Sequence, residues 1–293
     1  MLDNKIITVY RGGLGNQMFQ YLYAEYLSVI TGFTNFADLS TYSLDARRNF
    51  ELTEIFDLDV QERKYLFGIK NTAHIHGFPK VISKLIHRVE FDNPISHILD
   101  TSIHPHVALD GTIILDGYWQ DAELMRTAIR KCGNRFKFRH ENSYKKNAIF
   151  ELISGFQCIG IHVRRGDYIS NKQAAKLNGF LGKEYIEGAI AKVHRLIGDG
   201  EKTKIIFFSD DIRWCEESFH GVPNTYFSHA GIDSGEDIFL MSQCHHLIIS
   251  NSTYSWWAGF LSSYPEKICI YPRSWFADGI TESSLQVDEW ILN

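Results

Sequence analysis

The sequence predicts an α/β protein built on parallel sheets covered by helices on both faces. Three observations lead there. Short, continuous apolar runs recur along the chain, among them Lys5–Tyr10, Thr112–Leu115, Cys158–Val163 and Lys204–Phe208, and such runs suit strands buried on both faces. Stretches with apolar residues at helical spacing alternate with these runs, the pattern of βαβ units. The chain has 293 residues, enough for one large domain or for two of about 150.

The first strand, Lys5–Tyr10, runs into Arg11–Gly15, a turn that needs small residues, and a helix is expected over Asn16–Ile30. A strand follows over Phe33–Leu39. Residues 41–105 carry scattered His and no firm period, and no order of elements is assigned to them. Thr112–Leu115 is a strand that leads into Asp116-Gly-Tyr-Trp-Gln120 and a helix over Asp121–Lys131. The polar, basic stretch Gly133–Lys146 is the expected boundary, dividing the chain into domains 1–145 and 146–293. Beyond it the alternation is regular. Strand Cys158–Val163, helix Lys183–Leu196, strand Lys204–Phe208, a short helix Ile212–Ser218 and strand Asn224–Phe227 come first. Helix Glu236–Cys244, strand Leu247–Ile249, helix Thr253–Ser263 and strand Lys267–Tyr271 complete the run.

Composition excludes several classes of function. Lys and Arg total 30 against 35 Asp and Glu, a formal net charge of −5, which argues against a nucleic-acid partner bound through bulk positive charge. The 5 cysteines are scattered and form no CxxC pair, so neither a disulfide framework nor a zinc site is expected. No secretory signal is read at the N-terminus, and no apolar run approaches the roughly 20 residues of a membrane span. A soluble, cytoplasmic protein is expected. Aromatic residues are abundant, with 20 Phe, 14 Tyr and 6 Trp; most must be core, and the rest are a weak pointer to carbohydrate.

In open α/β sheets ligands bind outside the carboxyl ends of the strands. Three predicted strand ends carry clustered polar residues: His162-Val-Arg164-Arg165-Gly-Asp167, Ser209-Asp210-Asp211, and Ser250-Asn251-Ser252-Thr253. Paired arginines suit phosphate, because the planar guanidinium donates charge-assisted hydrogen bonds. Asn251, Ser252 and Thr253 precede a predicted helix, whose free N–H groups receive anions. The carboxylates of Asp210, Asp211 and Asp237 would take ribose hydroxyls or the N–H edge of a base, so a nucleoside diphosphate satisfies the whole inventory. Each residue also has a plainer reading. Arg164 and Asp167 would make an ion pair, Asp210–Asp211 an N-cap or a DxD-like metal site, Ser252 or Thr253 an N-cap, and His162 and Trp256-Trp257 core. Their convergence on one rim favours the ligand. At the N-terminus, Gly13-Leu-Gly15 after a strand departs from the dinucleotide fingerprint, because Met18 stands where the third glycine belongs. That loop, with Gly15 and the amides of Asn16 and Gln17, is expected close to a ligand held from the other side.

Gly12-Gly-Leu-Gly-Asn-Gln-Met-Phe-Gln-Tyr21 resembles the N-terminal signature of the α-1,2-fucosyltransferases, glycosyltransferase family 11. His162-Val-Arg-Arg-Gly-Asp-Tyr168 resembles their HxRRxD motif. Phe208-Ser-Asp-Asp211 and Ile249-Ser-Asn-Ser-Thr-Tyr-Ser-Trp-Trp-Ala-Gly-Phe-Leu261 are similar to the second and third motifs. Asp116–Gln120 and Tyr271-Pro-Arg-Ser-Trp-Phe276 are similar to further family stretches. Members of the human type carry a membrane anchor; none is read here, and a bacterial form is expected. The resemblance implies a GT-B fold, two Rossmann-like domains facing across a cleft, with GDP-fucose held mainly by the C-terminal one. GDP-fucose is then a substrate, and neither a cofactor nor a metal is expected. By motif position, Arg164 would meet the β-phosphate, helped by Arg165, and His162 the guanine region. Asp167 would hold the motif together, and Asp210 and Asp211 would serve the second motif. Asp237 would bind guanine, Asn251 and either Ser252 or Thr253 would lie at the phosphate, and Asn16 near the sugar. The implied acceptor is a galactose-terminated glycan, and a lipid-linked one would bring the protein to the inner membrane face, as in surface polysaccharide or O-antigen synthesis. Another sugar donor on the same fold, or a non-catalytic glycan-binding protein, is the alternative.

Overall fold

A computed structural model describes residues 4–43, 48–63, 111–166, 180–198, 202–229, 234–276 and 284–293, together with the backbone of 95–99. The chain forms two compact units, Met1–Lys137 and Phe138–Asn293. The division precedes the expected boundary after residue 145 because the intervening segment packs with the second unit. There Phe138 and Tyr144 lie against Phe239 with ring centroids 5.2 and 5.7 Å apart.

In the first unit the order is β1 (Lys5–Val9), α1 (Leu14–Thr31), β2 (Thr34–Asp38), a 3-10 turn (Ser40–Ser43), α2 (Leu52–Ile55), β3 (Ile95–Leu99), β4 (Thr112–Asp116) and α3 (Ala122–Cys132). Among the described residues the strands form one parallel sheet in the order β2-β1-β4-β3. Ile7 of β1 stands opposite Phe36 on one side and Ile114 on the other. Every residue of β1 is buried, Lys5 and Thr8 included, as befits a strand with a neighbour on each side. Helix α3 starts where the Asp121 carboxylate accepts from the Leu124 N–H at 2.7 Å, and Arg130 and Lys131 stand in its last turn, where the helix dipole favours cations. Helices α1 and α3 pack together.

The second unit begins with α4 (Glu141–Tyr144) and α5 (Ala148–Gly155), both inside or just behind the stretch expected to be a linker. Then come β5 (Cys158–Val163), α6 (Lys183–Ile197), β6 (Lys204–Ser209), α7 (Ile212–Phe219), β7 (Thr225–Phe227) and α8 (Ser234–Gln243). The chain ends with β8 (His246–Ile248), α9 (Thr253–Leu261), β9 (Cys269–Tyr271) and β10 (Ile291–Leu292). Among the described residues all pairings are parallel, and the strand order is β10-β9-β8-β5-β6-β7. Numbered from β5, this is the doubly wound Rossmann order. One face of the sheet buries Ile159, Ile161, Ile205 and Phe207 against Ile186, Ala189 and Val193 of α6 and Phe219 of α7. At Gly160 in β5 an added Cβ would lie 2.9 Å from Cys244 Sγ, so glycine there lets the end of α8 settle onto the central strand. The architecture is of the GT-B class, an α/β chain with two Rossmann-like units.

Trp256 and Trp257 are fully buried and belong to the core. Four of the cysteines are buried, none is in a disulfide, and burial pushes the thiols of Cys158 and Cys215 up to about 12, which keeps them unreactive. No helix among the described residues is long and apolar enough to cross a membrane.

Candidate functional site

A doubly wound sheet opens a crevice where the strand order reverses, at the carboxyl ends of the two strands on either side. In the second unit those strands are β5 and β8. His162, one residue before the end of β5, sends Nδ1 to the Ser250 hydroxyl beyond β8, 2.7 Å away, and its ring lies tilted on Tyr254 with centroids 5.5 Å apart. Burial, and secondarily the Arg164 charge, pushes its pKa down to about 3, so the imidazole is neutral.

That shift predicts a stability profile. The folded pKa lies below the unfolded value of about 6.5, so the unfolded chain takes up the proton first as pH falls. Stability is therefore undiminished above about pH 6.5 and is lost progressively toward pH 3, by up to about 1.4 kcal/mol per pH unit. Urea unfolding of wild type and His162→Gln at pH 7, 6 and 5 should show the flatter profile in the variant. Parallel profiles would contradict the assignment.

Beyond β5 the two arginines divide. Arg164 meets Asp210 at 3.0 Å and keeps about a quarter of its side-chain surface exposed. The other Asp210 oxygen accepts the Arg165 backbone N–H at 2.8 Å. Arg165 pairs with Asp211, and its guanidinium lies 5.0 Å from the Trp214 ring and 5.6 Å from that of Phe180. Asp211 also caps α7 through the Trp214 N–H at 3.3 Å. Arg165, Asp210 and Asp211 thus hold the loop, and both arginines keep about a quarter of their side-chain surface exposed. The expected partner Asp167 lies outside the described residues.

Behind β8, Ser250 and Asn251 are buried, and Asn251 donates to the Trp275 carbonyl at 3.2 Å. Ser252 occupies the N-cap of α9 without a side-chain cap hydrogen bond, and Thr253 opens the helix, both half-buried. The positive end of α9 therefore stands beside the His162–Ser250 bridge. Asp237 on α8 is buried and accepts from Ser228, just past β7, at 2.7 Å.

The first unit also gathers polar residues at the carboxyl ends of its central strands. Among the described residues its two central strands are β1 and β4. Arg11 beyond β1 pairs with Asp116 at the end of β4, and Gln120 donates to Asn16 Oδ1 at 2.9 Å. Gly12 has φ +80°, and a Cβ there would stand 2.4 Å from Asn16 Nδ2, so a side chain would expel the amide. Two sequence expectations are corrected. Gln17 is fully buried: it donates to the carbonyls of Asn49 at 2.8 Å and Gly12 at 3.1 Å and accepts from the Glu51 N–H at 2.9 Å. Its amide staples the chain around β1 and is not presented to a ligand. Gly15 lies in the first turn of α1, buried, because the helix begins two residues before the expected start at Asn16. Sequence reasoning also passed over Arg11, Asp116 and Gln120; the Asp116–Gln120 motif was the available signal, but nothing in it says which strand end it joins. Trp119, the residue before Gln120, has φ +50°, a region that costs a bulky residue of order 1 kcal/mol and marks sites held by their surroundings.

The model of glycosyltransferase family 11 matches residues 118–292. An O-antigen biosynthesis glycosyltransferase, WbnK of Escherichia coli, is 33% identical over 96% of this chain and 97% of its own. The chain belongs to glycosyltransferase family 11. An α-1,2-colitosyltransferase of Escherichia coli is 30% identical, with 90% of each chain covered. Among solved structures, the fucosyltransferase NodZ from Bradyrhizobium superposes with a TM-score of 0.56 at 16% identity, over 88% of this chain and 93% of its own. That likeness is one of fold. The family match covers both crevice strands of the second unit and the Tyr118–Gln120 end of the first-unit motif.

Proposed function

We propose that this family member moves L-fucose from GDP-β-L-fucose to the 2-hydroxyl of a galactose-terminated glycan, with inversion to an α linkage. The C1–O bond to the β-phosphate breaks with its electron pair leaving on GDP, and the acceptor oxygen bonds to C1 as its hydroxyl gives up a proton. The observation that carries this reading is the β5–β8 crevice, where the partly exposed Arg164 and the start of α9, which has no side-chain cap, supply positive charge for a diphosphate. Arg164 takes the β-phosphate, and Ser252 or Thr253 with the first N–H groups of α9 takes the neighbouring oxygens. His162 shapes the nucleotide pocket by holding Ser250, Asp237 addresses the guanine N–H edge, and Asn16 lies at the sugar. With arginine and a helix dipole neutralising the leaving group, no metal is required in this scheme. Support for the donor comes from NodZ, a neighbour in fold whose structures include one soaked with GDP-fucose.

A second donor follows from a specific observation, the 30% identity to a colitosyltransferase. One experiment separates the readings: incubation with GDP-fucose or GDP-colitose and a panel of β-galactosides in excess EDTA, with linkage analysis of the product. An α-1,2-fucosylated galactoside is expected. Colitosylated product alone moves the assignment to colitose, EDTA-sensitive turnover restored by Mn²⁺ overturns the metal-free scheme, and no product from either donor overturns the reading.

A further inference from the structure

We infer that Gln120 is a positioning residue of the transfer reaction, which sets the bearing of the Asn16 amide. The inference rests on the proposed function, in which Asn16 lies at the reacting sugar. Each unit has a side-chain hydrogen bond beyond the carboxyl ends of its two central strands. In the second unit it is His162 to Ser250, and in the first it is Gln120 to Asn16, at 2.7 and 2.9 Å. Gln120 reaches its partner across 104 residues of sequence from a short segment clamped at both ends. On one side Trp119 is buried, stacks on Tyr23 with centroids 4.8 Å apart and holds the left-handed backbone at φ +50°. On the other, Asp121 caps α3, and its N–H donates to the Trp119 carbonyl at 3.0 Å. The Gln120 side chain therefore leaves a fixed point.

Its polarity does the rest. In the observed pair Gln120 gives an N–H to the Asn16 oxygen, and the Asn16 nitrogen faces Gly12, whose Cα hydrogens alone leave room for it. Asn16 is then held in one of two otherwise similar amide orientations. A displacement or flip at this point misplaces a group against the sugar, and small misplacements cost turnover rather than folding.

Gln120→Glu tests this directly. Glutamate fills the same space and accepts a hydrogen bond, but only if the Asn16 amide reverses. The expected result is a fall in kcat of about tenfold, with GDP affinity and melting temperature near those of wild type. Gln120→Met, of similar length and without a donor, should fall comparably. In the Asn16→Ala background neither substitution should lower kcat further, since the residue they act through is gone. Wild-type kcat in Gln120→Glu, or a further tenfold loss on top of Asn16→Ala, overturns the inference. So does a fall in kcat matched by equal losses of GDP affinity and melting temperature, which assigns Gln120 to packing alone. If wild type forms no product from any GDP-sugar, the reading of the reaction fails and takes this inference with it; an active wild type with additive variants sinks the inference alone.

Discussion

Replacing Arg164 with alanine is expected to lower turnover by at least about 100-fold while leaving the protein folded. The leaving GDP gains negative charge as the C1–O bond stretches, and a fixed donor aimed at developing charge is typically worth about 10²- to 10³-fold in rate. Arg164 is the member of its pair placed to do this. Both arginines keep about a quarter of their side-chain surface exposed, but Arg165 is held by Asp211 and lies against two aromatic rings, whereas Arg164 meets Asp210. Its removal leaves Asp210 bound to the Arg165 N–H, so the loop keeps its anchor and no charge is stranded in the core. Arg164→Lys should recover only part of the loss, because an ammonium supplies the charge without the planar fork. The checks are steady-state turnover with the donor that wild type uses, GDP affinity by calorimetry, and thermal unfolding. A folded Arg164→Ala protein with near-normal turnover would falsify the role.

Five of the six strands described in the second unit, all but β10 (Ile291–Leu292), were legible because each is a mostly apolar run, and the strand-end rule then selected the crevice residues together. What composition and period could not supply is commitment. Gln17 and Asn16 are adjacent amides in one motif, yet Gln17 is consumed by three backbone hydrogen bonds and Asn16 is not buried; only the path of residues 49–51 around β1 distinguishes them. Arg164 and Arg165 read alike for the same reason, since the Trp214 and Phe180 rings that take Arg165 are far from it in sequence. Strand β3 escaped because His97 interrupts its apolar run, and α5 because only Ile153 among its residues is buried, too little for a helical stripe to stand out. Gly15 was misplaced by a boundary error of one half-turn, the least reliable part of any periodicity argument.

Trp256→Ala is expected to destabilise the second unit by about 3–5 kcal/mol, the largest stability effect foreseen for a single side chain here. The aromatic abundance of the sequence left open whether the Trp256-Trp257 pair packs or offers a platform to sugar. Trp256 is wholly buried, stacks on Phe260 with centroids 4.6 Å apart, and meets Trp257 edge-on at 5.2 Å. Its ring N–H donates to the Leu285 carbonyl at 2.7 Å. Alanine would open a cavity lined by these rings and remove that hydrogen bond, two losses that add. Trp256→Phe should lose less, since an aromatic ring remains to stack and only the hydrogen bond and part of the volume go. The consequence reaches the ligand side, because Trp256 stands one turn along α9 from Ser252 and Thr253. A helix loosened at its packed face no longer aims its first N–H groups at one point, so GDP affinity should fall together with stability in Trp256→Ala. In Arg164→Ala turnover should fall without stability. Urea unfolding and GDP calorimetry on both variants read these two patterns. A Trp256→Ala protein melting within about 2 °C of wild type would show that α9 is held by something other than its aromatic stack.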